Sequence, residues 1–405
     1  MNVVITPGGL SGAVRVPASK SAAHRLLICA ALADGPTRVS ISSLNRDIEA
    51  TAGCLRALGA DIAAEGGALK VSPVAGIPAK ATLDCGESGS TLRFLLPVAA
   101  ALGGSFTFTG HGRLPQRPNA PLVEALKAHG ARIDRDLLPM AVSGPLSSGE
   151  WTLPGDVSSQ YVTGLLFALP LLAGDSEIAL TTPLASAAYV DMTLQALARF
   201  GVAVEPTARG WRVAGSQRYR TPGEADVEGD WSAAAFWLAA NALGANIALE
   251  GLAEDSVQGD RAVAALLGRS AIDATHVPDL VPALAVAAAN LPQRTVITGA
   301  ARLRLKESDR LQSVAAMLEA LGHGAAATPD GLVIDGGPPK PCGDPVRTVD
   351  GANDHRIVMA AAVAAAFADR PVRIAGAQAV EKSYPGFFRD FINLGGNAHV
   401  ERIGR

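Results

Sequence analysis

As a string of apolar and polar positions the chain repeats itself: an amphipathic stretch ends on Gly and runs into a short β-like segment. The first copy is Arg56-Ala57-Leu58-Gly59-Ala60-Asp61-Ile62 and the second Lys127-Ala128-His129-Gly130-Ala131-Arg132-Ile133. The third is Arg199-Phe200-Gly201-Val202-Ala203-Val204, and further copies centre on Gly268, Gly322 and Gly395. Successive glycines are separated by 71, 71, 67, 54 and 73 residues. A Gly just past a helix takes the left-handed cap conformation without a Cβ penalty, so each copy predicts a helix end followed by a strand.

A second pattern interleaves with the first: a polar cluster, an Ala/Leu-rich helix, a short turn, then a strand. Its copies cover residues 25–42, 93–110, 161–182, 235–251, 283–299 and 357–376. Together the two patterns predict an α/β chain of six strand–helix–strand–helix units with added strands. Their period exceeds that of solenoids, so each is a small packed subdomain. Six divide as three plus three, with the break near Asp226-Val227-Glu228-Gly229-Asp230. Two domains of about 200 residues are also what 405 residues predict.

Composition narrows the function. Hydrophobic residues make up 48%, charged residues 18% and aromatics 4%, a globular balance. The formal net charge of −3 gives no general pull toward nucleic acid or membrane, so an anionic ligand would need cations gathered locally. The cysteines Cys29, Cys54, Cys85 and Cys342 lie far apart with no C-x-x-C pair, which predicts neither disulfides nor zinc and fits a reducing cytoplasm. Residues 1–16 lack the basic start and apolar run of a signal peptide, and the apolar run 357–368 is too short to span a bilayer.

The phasing sets a polar cluster before each Ala-rich helix. These are Ser19-Lys20-Ser21 with Arg25, Gly86-Glu87-Ser88-Gly89-Ser90-Thr91 with Arg93, and Ser158-Ser159-Gln160. Asp230 with Ser232, Pro278-Asp279 and Asn353-Asp354-His355-Arg356 complete the set. Small hydroxyl and Gly residues at a helix start expose backbone N–H groups to an anion, and Lys and Arg add full charge. Ordinary capping explains Ser232. It does not explain Lys20, whose charge opposes the helix dipole unless an anion compensates. A second ring of charges follows the strands: Asp47, Arg117, Ser186 with Tyr189, Lys306-Glu307-Ser308-Asp309-Arg310, and Lys382. No G-x-G-x-x-G follows a strand, and G-x-x-x-x-G-K-[ST], H-E-x-x-H and G-x-S-x-G are absent. The seven histidines show no metal-ligand spacing.

These clusters, together with Leu114-Pro115-Gln116-Arg117-Pro118 and Tyr189-Val190-Asp191, resemble in order the motifs of the 5-enolpyruvylshikimate-3-phosphate (EPSP) synthase family over essentially the whole chain. The resemblance implies two similar domains, each of three βαβαββ repeats in an inside-out α/β barrel. It places one at residues 13–227 and the other at 1–12 with 228–405, crossing near Gly12 and Val227. It implies a cytoplasmic, monomeric enzyme that joins shikimate 3-phosphate to phosphoenolpyruvate and releases phosphate, without metal or organic cofactor. By the same resemblance Lys20, Ser21, Arg25, Ser158, Ser159, Gln160, Ser186, Tyr189, Asp279 and Lys306 hold shikimate 3-phosphate. Lys20, Gly89, Arg93, Arg117, Gln160, Arg310, Arg356 and Lys382 surround phosphoenolpyruvate. Asp279 is the candidate base and Glu307 the candidate acid, with Lys20 and Lys306 as competing proton carriers.

Two positions depart from the family pattern: Glu87 and Arg302 stand where Asn is expected. Gly89 keeps the room that glyphosate, an inhibitor of the phosphoenolpyruvate site, requires. The sister family that uses UDP-N-acetylglucosamine carries a reactive Cys in the loop matching residues 110–118, and no Cys lies there. A non-catalytic anion-binding relative would not need Asp279 and Glu307, and both are present.

Overall fold

The computed structural model describes residues 1–341 and 343–401, so Cys342 lies outside the described part. The chain forms two compact units. One joins Met1–Pro17 to the chain from Gly229 onward, and the other is Ala18–Glu228. They are called here the split unit and the central unit.

The glycines that punctuate the sequence end helices as their spacing predicts. Gly59, Gly130, Gly201, Gly268, Gly322 and Gly395 all have φ between 73° and 104°. In the central unit each repeat builds one four-stranded sheet. The second repeat shows the pattern: Lys80–Asp84 pairs parallel with Ser105–Thr109, which continues antiparallel to Met140–Ser143 and then Arg132–Ile133. The first of each pair of helices fills the interior. In Gly89–Leu102 eleven residues are buried, from Gly89 to Ala100. The sheets turn one face outward, so Lys80–Asp84 buries only Leu83. Each unit has its own apolar core. Ala-rich helices pack closely there: a Cβ on Gly164 would lie 2.3 Å from the Arg93 carbonyl oxygen.

The connectivity is permuted at both crossings. Asn2–Thr6 completes the last sheet of the split unit, between Val372–Ala375 and Asn397–Glu401. Ser11–Arg15 pairs along its length with Asn246–Glu250, so the first crossing falls after Pro17 and not after Gly12. The second falls after Glu228, once Glu224–Asp226 has paired with Thr37–Ser40. The fourth repeat departs from the six-element plan. Its sheet has two strands, and Val263–Leu266 runs past Gly268 straight to Ala271–Asp273, the first strand of the next repeat. The missing pair of antiparallel strands accounts for the short interval before Gly322.

Among the described residues no helix is long and apolar enough to cross a membrane. Among the same residues no group of three or more His, Cys, Asp or Glu could hold a metal ion.

Candidate active site

In the central unit the polar clusters head three helices. Ser19, Ser88 and Ser158 are the N-caps of Lys20–Leu32, Gly89–Leu102 and Ser159–Ala168. Each hydroxyl accepts one of the otherwise orphaned backbone N–H groups, which contributes about 1 kcal/mol per cap. Lys20, in the first turn of its helix, is paired with Asp47 at 2.9 Å. The anion that compensates its charge is thus already a protein carboxylate.

Arg25 is buried and braces the unit from within. It donates to Thr193 Oγ1 at 2.9 Å, to the Ser21 carbonyl at 2.7 Å and to the Tyr189 carbonyl at 2.6 Å. Burial lowers its pKa to about 10, so it stays charged at neutral pH. These bonds tie Ser21 to the turn that carries Ser186 and Tyr189. Ser186 takes a left-handed conformation (φ 56°) that costs a non-Gly residue on the order of 1 kcal/mol. Residues held in such conformations cluster at functional sites.

A second group gathers at Gly89. Arg93 donates to Asn119 Oδ1 at 3.0 Å, to Gln160 Oε1 at 2.7 Å and to the Pro118 carbonyl at 3.0 Å. Gln160 Nε2 reaches Ser90 Oγ at 3.0 Å, and Asn119 Nδ2 donates to the Arg117 carbonyl at 3.0 Å. The Arg117 guanidinium rests on Gly89, where a Cβ would come within 2.8 Å of it. A side chain here would displace the flexible end of Arg117, and the Gly89 backbone itself lies outside the left-handed region.

The split unit concentrates the titratable groups. Asp279 Oδ1 accepts from Arg310 at 2.9 Å and lies 3.5 Å from Lys306 Nζ, and its Oδ2 accepts from Arg356 at 3.2 Å. Burial pushes the Asp279 carboxyl up, but Arg356, Lys306 and Arg310 outweigh it and hold the group well below the usual carboxylate range. Arg310 is nearly inaccessible and engages three carboxylates. It reaches Glu307 at 2.7 Å and Asp354 at 2.9 Å besides Asp279. Burial works against its charge, yet Asp354, Glu307 and Asp279 hold it protonated more firmly than usual. Asp354 in turn caps His355–Ala366, accepting from the Arg356 amide at 3.0 Å. Lys382 donates to the Asn353 carbonyl at 2.6 Å, at a turn where Ala352 and Asn353 both have positive φ.

Each unit therefore assembles its own share of the expected residues. Ser158 and Ser159 stand at their helix start. Arg302 donates to the Thr275 carbonyl at 2.7 Å, and Glu87 lies against the backbone of Gly112.

Asp260 and Asp354 escaped the sequence reading as site residues. Asp354 lay inside a recognised cluster. Asp260 follows Gln258 and Gly259 with no periodic signal around it. It is buried, accepts a very short hydrogen bond from Ser232, and its pKa is raised to about 6 by burial and by Asp279. A raised carboxyl favours folding below its unfolded pKa near 3.9, and this contribution is lost as pH rises through about 6. Asp260→Asn mimics the protonated acid. It is expected to match the wild type near pH 4 and to exceed it in denaturant stability by up to ~3 kcal/mol at pH 7. Equal stability of the two proteins at both pH values would refute the burial account.

The sequence model described as EPSP synthase (3-phosphoshikimate 1-carboxyvinyltransferase) matches residues 4–270 and 266–391. The chain belongs to the EPSP synthase family. A 3-phosphoshikimate 1-carboxyvinyltransferase of Clostridium kluyveri is 40% identical over 428 residues, covering 100% of this chain and 99% of the relative. One from Halobacterium salinarum is 40% identical over 429 residues, covering 98% and 99%. A solved EPSP synthase of Acinetobacter baumannii superposes with a TM-score of 0.82 at 26% identity, covering 99% of this chain and 100% of that one. The enolpyruvyl transferase NikO of Streptomyces tendae, at 18% identity and a TM-score of 0.78 over 98% of both chains, shares the fold. The expected α/β fold of repeated sheet-and-helix subdomains is the fold of these enzymes.

Proposed function

We propose that this chain transfers the enolpyruvyl group of phosphoenolpyruvate to the 5-hydroxyl of shikimate 3-phosphate, in line with its relatives' name, 3-phosphoshikimate 1-carboxyvinyltransferase. In the first step the hydroxyl oxygen bonds to C2 of phosphoenolpyruvate, its proton leaves, and a proton adds to C3. In the second, phosphate departs from C2 of the tetrahedral adduct and a proton leaves C3, restoring the double bond. The observation that best supports the reading is Asp279, kept ionised by Lys306, Arg310 and Arg356, with Glu307 joined to the same Arg310.

In this reading Asp279 takes the hydroxyl proton and Glu307 serves C3, with Lys306 and Lys20 as further proton carriers. Lys20, Ser21, Arg25, Ser158, Ser159, Gln160, Ser186, Tyr189, Asp279 and Lys306 hold shikimate 3-phosphate. Lys20, Gly89, Arg93, Arg117, Gln160, Arg310, Arg356 and Lys382 hold phosphoenolpyruvate. Arg93 bonds Gln160 directly and reaches the Arg117 carbonyl through Asn119, which supports a common ligand for the three. The protein acts as a cytoplasmic monomer on small molecules, with neither nucleic acid nor membrane as partner. The test is phosphate release with the two substrates apart and together. Release that requires both supports the transfer, and release from phosphoenolpyruvate alone would overturn it.

Gly89→Ala would push a methyl into the Arg117 guanidinium. Moving a forked anion contact is worth about 1.5–3 kcal/mol, so KM for phosphoenolpyruvate is expected to rise at least tenfold. Glyphosate, bound at the same place, is expected to inhibit the wild type and to lose potency in the variant. Steady-state kinetics would count against this assignment if both constants stayed unchanged.

A further inference from the structure

Buried hydroxyls in the central unit join into a line that none of the roles above uses. His24 Nδ1 lies 2.7 Å from Thr51 Oγ1, Thr51 Oγ1 lies 2.7 Å from Thr91 Oγ1, and Thr91 donates to Ser88 Oγ at 2.8 Å. All four side chains are at most 1% exposed. The line crosses three helices, Lys20–Leu32, Arg46–Ala57 and Gly89–Leu102, and ends on the residue that caps the last.

Counting hydrogens fixes its direction. A hydroxyl has one hydrogen, and Thr91 commits its own to Ser88, so Thr91 must accept from Thr51. Thr51 must then accept from His24, which places the imidazole proton on Nδ1. Ser88 Oγ also accepts the Thr91 amide at 3.2 Å, so both bonds it makes along the line are accepted ones. Its own hydrogen is not spent within the line, and it stands one residue before Gly89. Burial, with Lys20 and Arg25 nearby, pushes the His24 pKa well below its ordinary value and keeps the ring neutral. A charged ring would need an acceptor at Nε2, and that atom is buried with no hydrogen-bond partner.

We propose that His24, Thr51 and Thr91 are positioning residues for phosphoenolpyruvate, orienting the Ser88 hydroxyl as a donor to the anion at the head of Gly89–Leu102. The inference rests on the assignment of Gly89, Arg93 and Arg117 to that substrate. It adds Ser88 to the anion contacts, and it ties the helix bearing Lys20 to the helix bearing Gly89 by directed hydrogen bonds. A reversed or broken line would turn the Ser88 hydrogen back toward Thr91 and remove the donor.

Thr51→Val keeps the shape of the side chain and cuts the line in the middle, while Thr51→Ser restores a hydroxyl. Thr51→Val is expected to raise KM for phosphoenolpyruvate about tenfold, equivalent to about 1.4 kcal/mol, and to change KM for shikimate 3-phosphate less than twofold. Thr51→Ser is expected to return both near wild type. In ¹⁵N spectra of labelled histidine, a slowly exchanging Nδ1 proton should be present in the wild type and lost in Thr51→Val. A thermal shift with unchanged KM for phosphoenolpyruvate would reduce the line to core packing and overturn the proposal. Should Thr51→Val not fold, Thr51→Ala removes the same hydroxyl, leaves the Thr91 acceptor in place and carries the same expectation. If the wild type releases no phosphate, calorimetric titration with phosphoenolpyruvate replaces KM. A tenfold weaker affinity then sustains the positioning role although the transfer has failed, and equal affinity overturns it.

Discussion

Asp279→Ala is expected to lower kcat by 10²- to 10⁴-fold, the range that a positioned proton acceptor supplies, while KM for either substrate changes less than tenfold. The argument is one of charge and placement. The carboxylate lies at the start of Pro278–Leu280, running into the fully buried helix Val281–Ala289, and three cations hold it ionised. Those cations make it a weak base, so it acts by accepting a proton as the new C–O bond forms and not by prior deprotonation. They also keep other company: Arg310 retains Glu307 and Asp354 when Asp279 is removed. The variant should therefore fold, which a melting curve would check. A kcat within threefold of wild type would exclude Asp279 as the base and turn attention to Glu307 and Lys306. Asp279→Asn separates charge from shape: equal losses in both variants assign the effect to the missing base.

Much of this arrangement was legible in the sequence because it rests on local rules. A Gly after a helix and a hydroxyl before one are short-range signals, and Gly59, Gly130, Gly201, Ser19, Ser88 and Ser158 followed them. The conflict of Lys20 with its helix dipole was legible too, but not its resolution by Asp47, which is 27 residues away in sequence. The first crossing was misplaced because Ser11–Arg15 reads like any short strand. Only its pairing with Asn246–Glu250, across the whole central unit in sequence, shows where the chain leaves. Asp260 and the line from His24 to Ser88 were hidden for the same reason. Their character comes from burial and from partners on other helices, and neither leaves a periodic trace.

The distinction between a residue that touches substrate and one that holds the site together is sharpest at Arg310. The resemblance assigns it to phosphoenolpyruvate, and the structure gives its guanidinium to Asp279, Glu307 and Asp354. Arg310→Met would leave Asp354 buried with the Ser308 hydroxyl at 3.1 Å, the Arg356 amide and a neighbouring histidine ring 3.9 Å away. Removing one partner of a buried ion pair costs about 3–5 kcal/mol, because the remaining charge has neither water nor counter-ion. The split unit is expected to lose that much stability, read as faster hydrogen exchange across Arg310–Ala320 and His355–Ala366. Asp354→Asn removes the stranded charge, so the double variant should recover part of the loss, and the double-mutant cycle would measure the coupling directly. A loss below about 1 kcal/mol, the level of an exposed pair, would mean that the three carboxylates find other cations. Arg310 would then be available to substrate first and to the fold second. Arg310→Lys distinguishes the two further: a point charge can satisfy one carboxylate but cannot fork across three, so it should rescue stability in part and activity hardly at all.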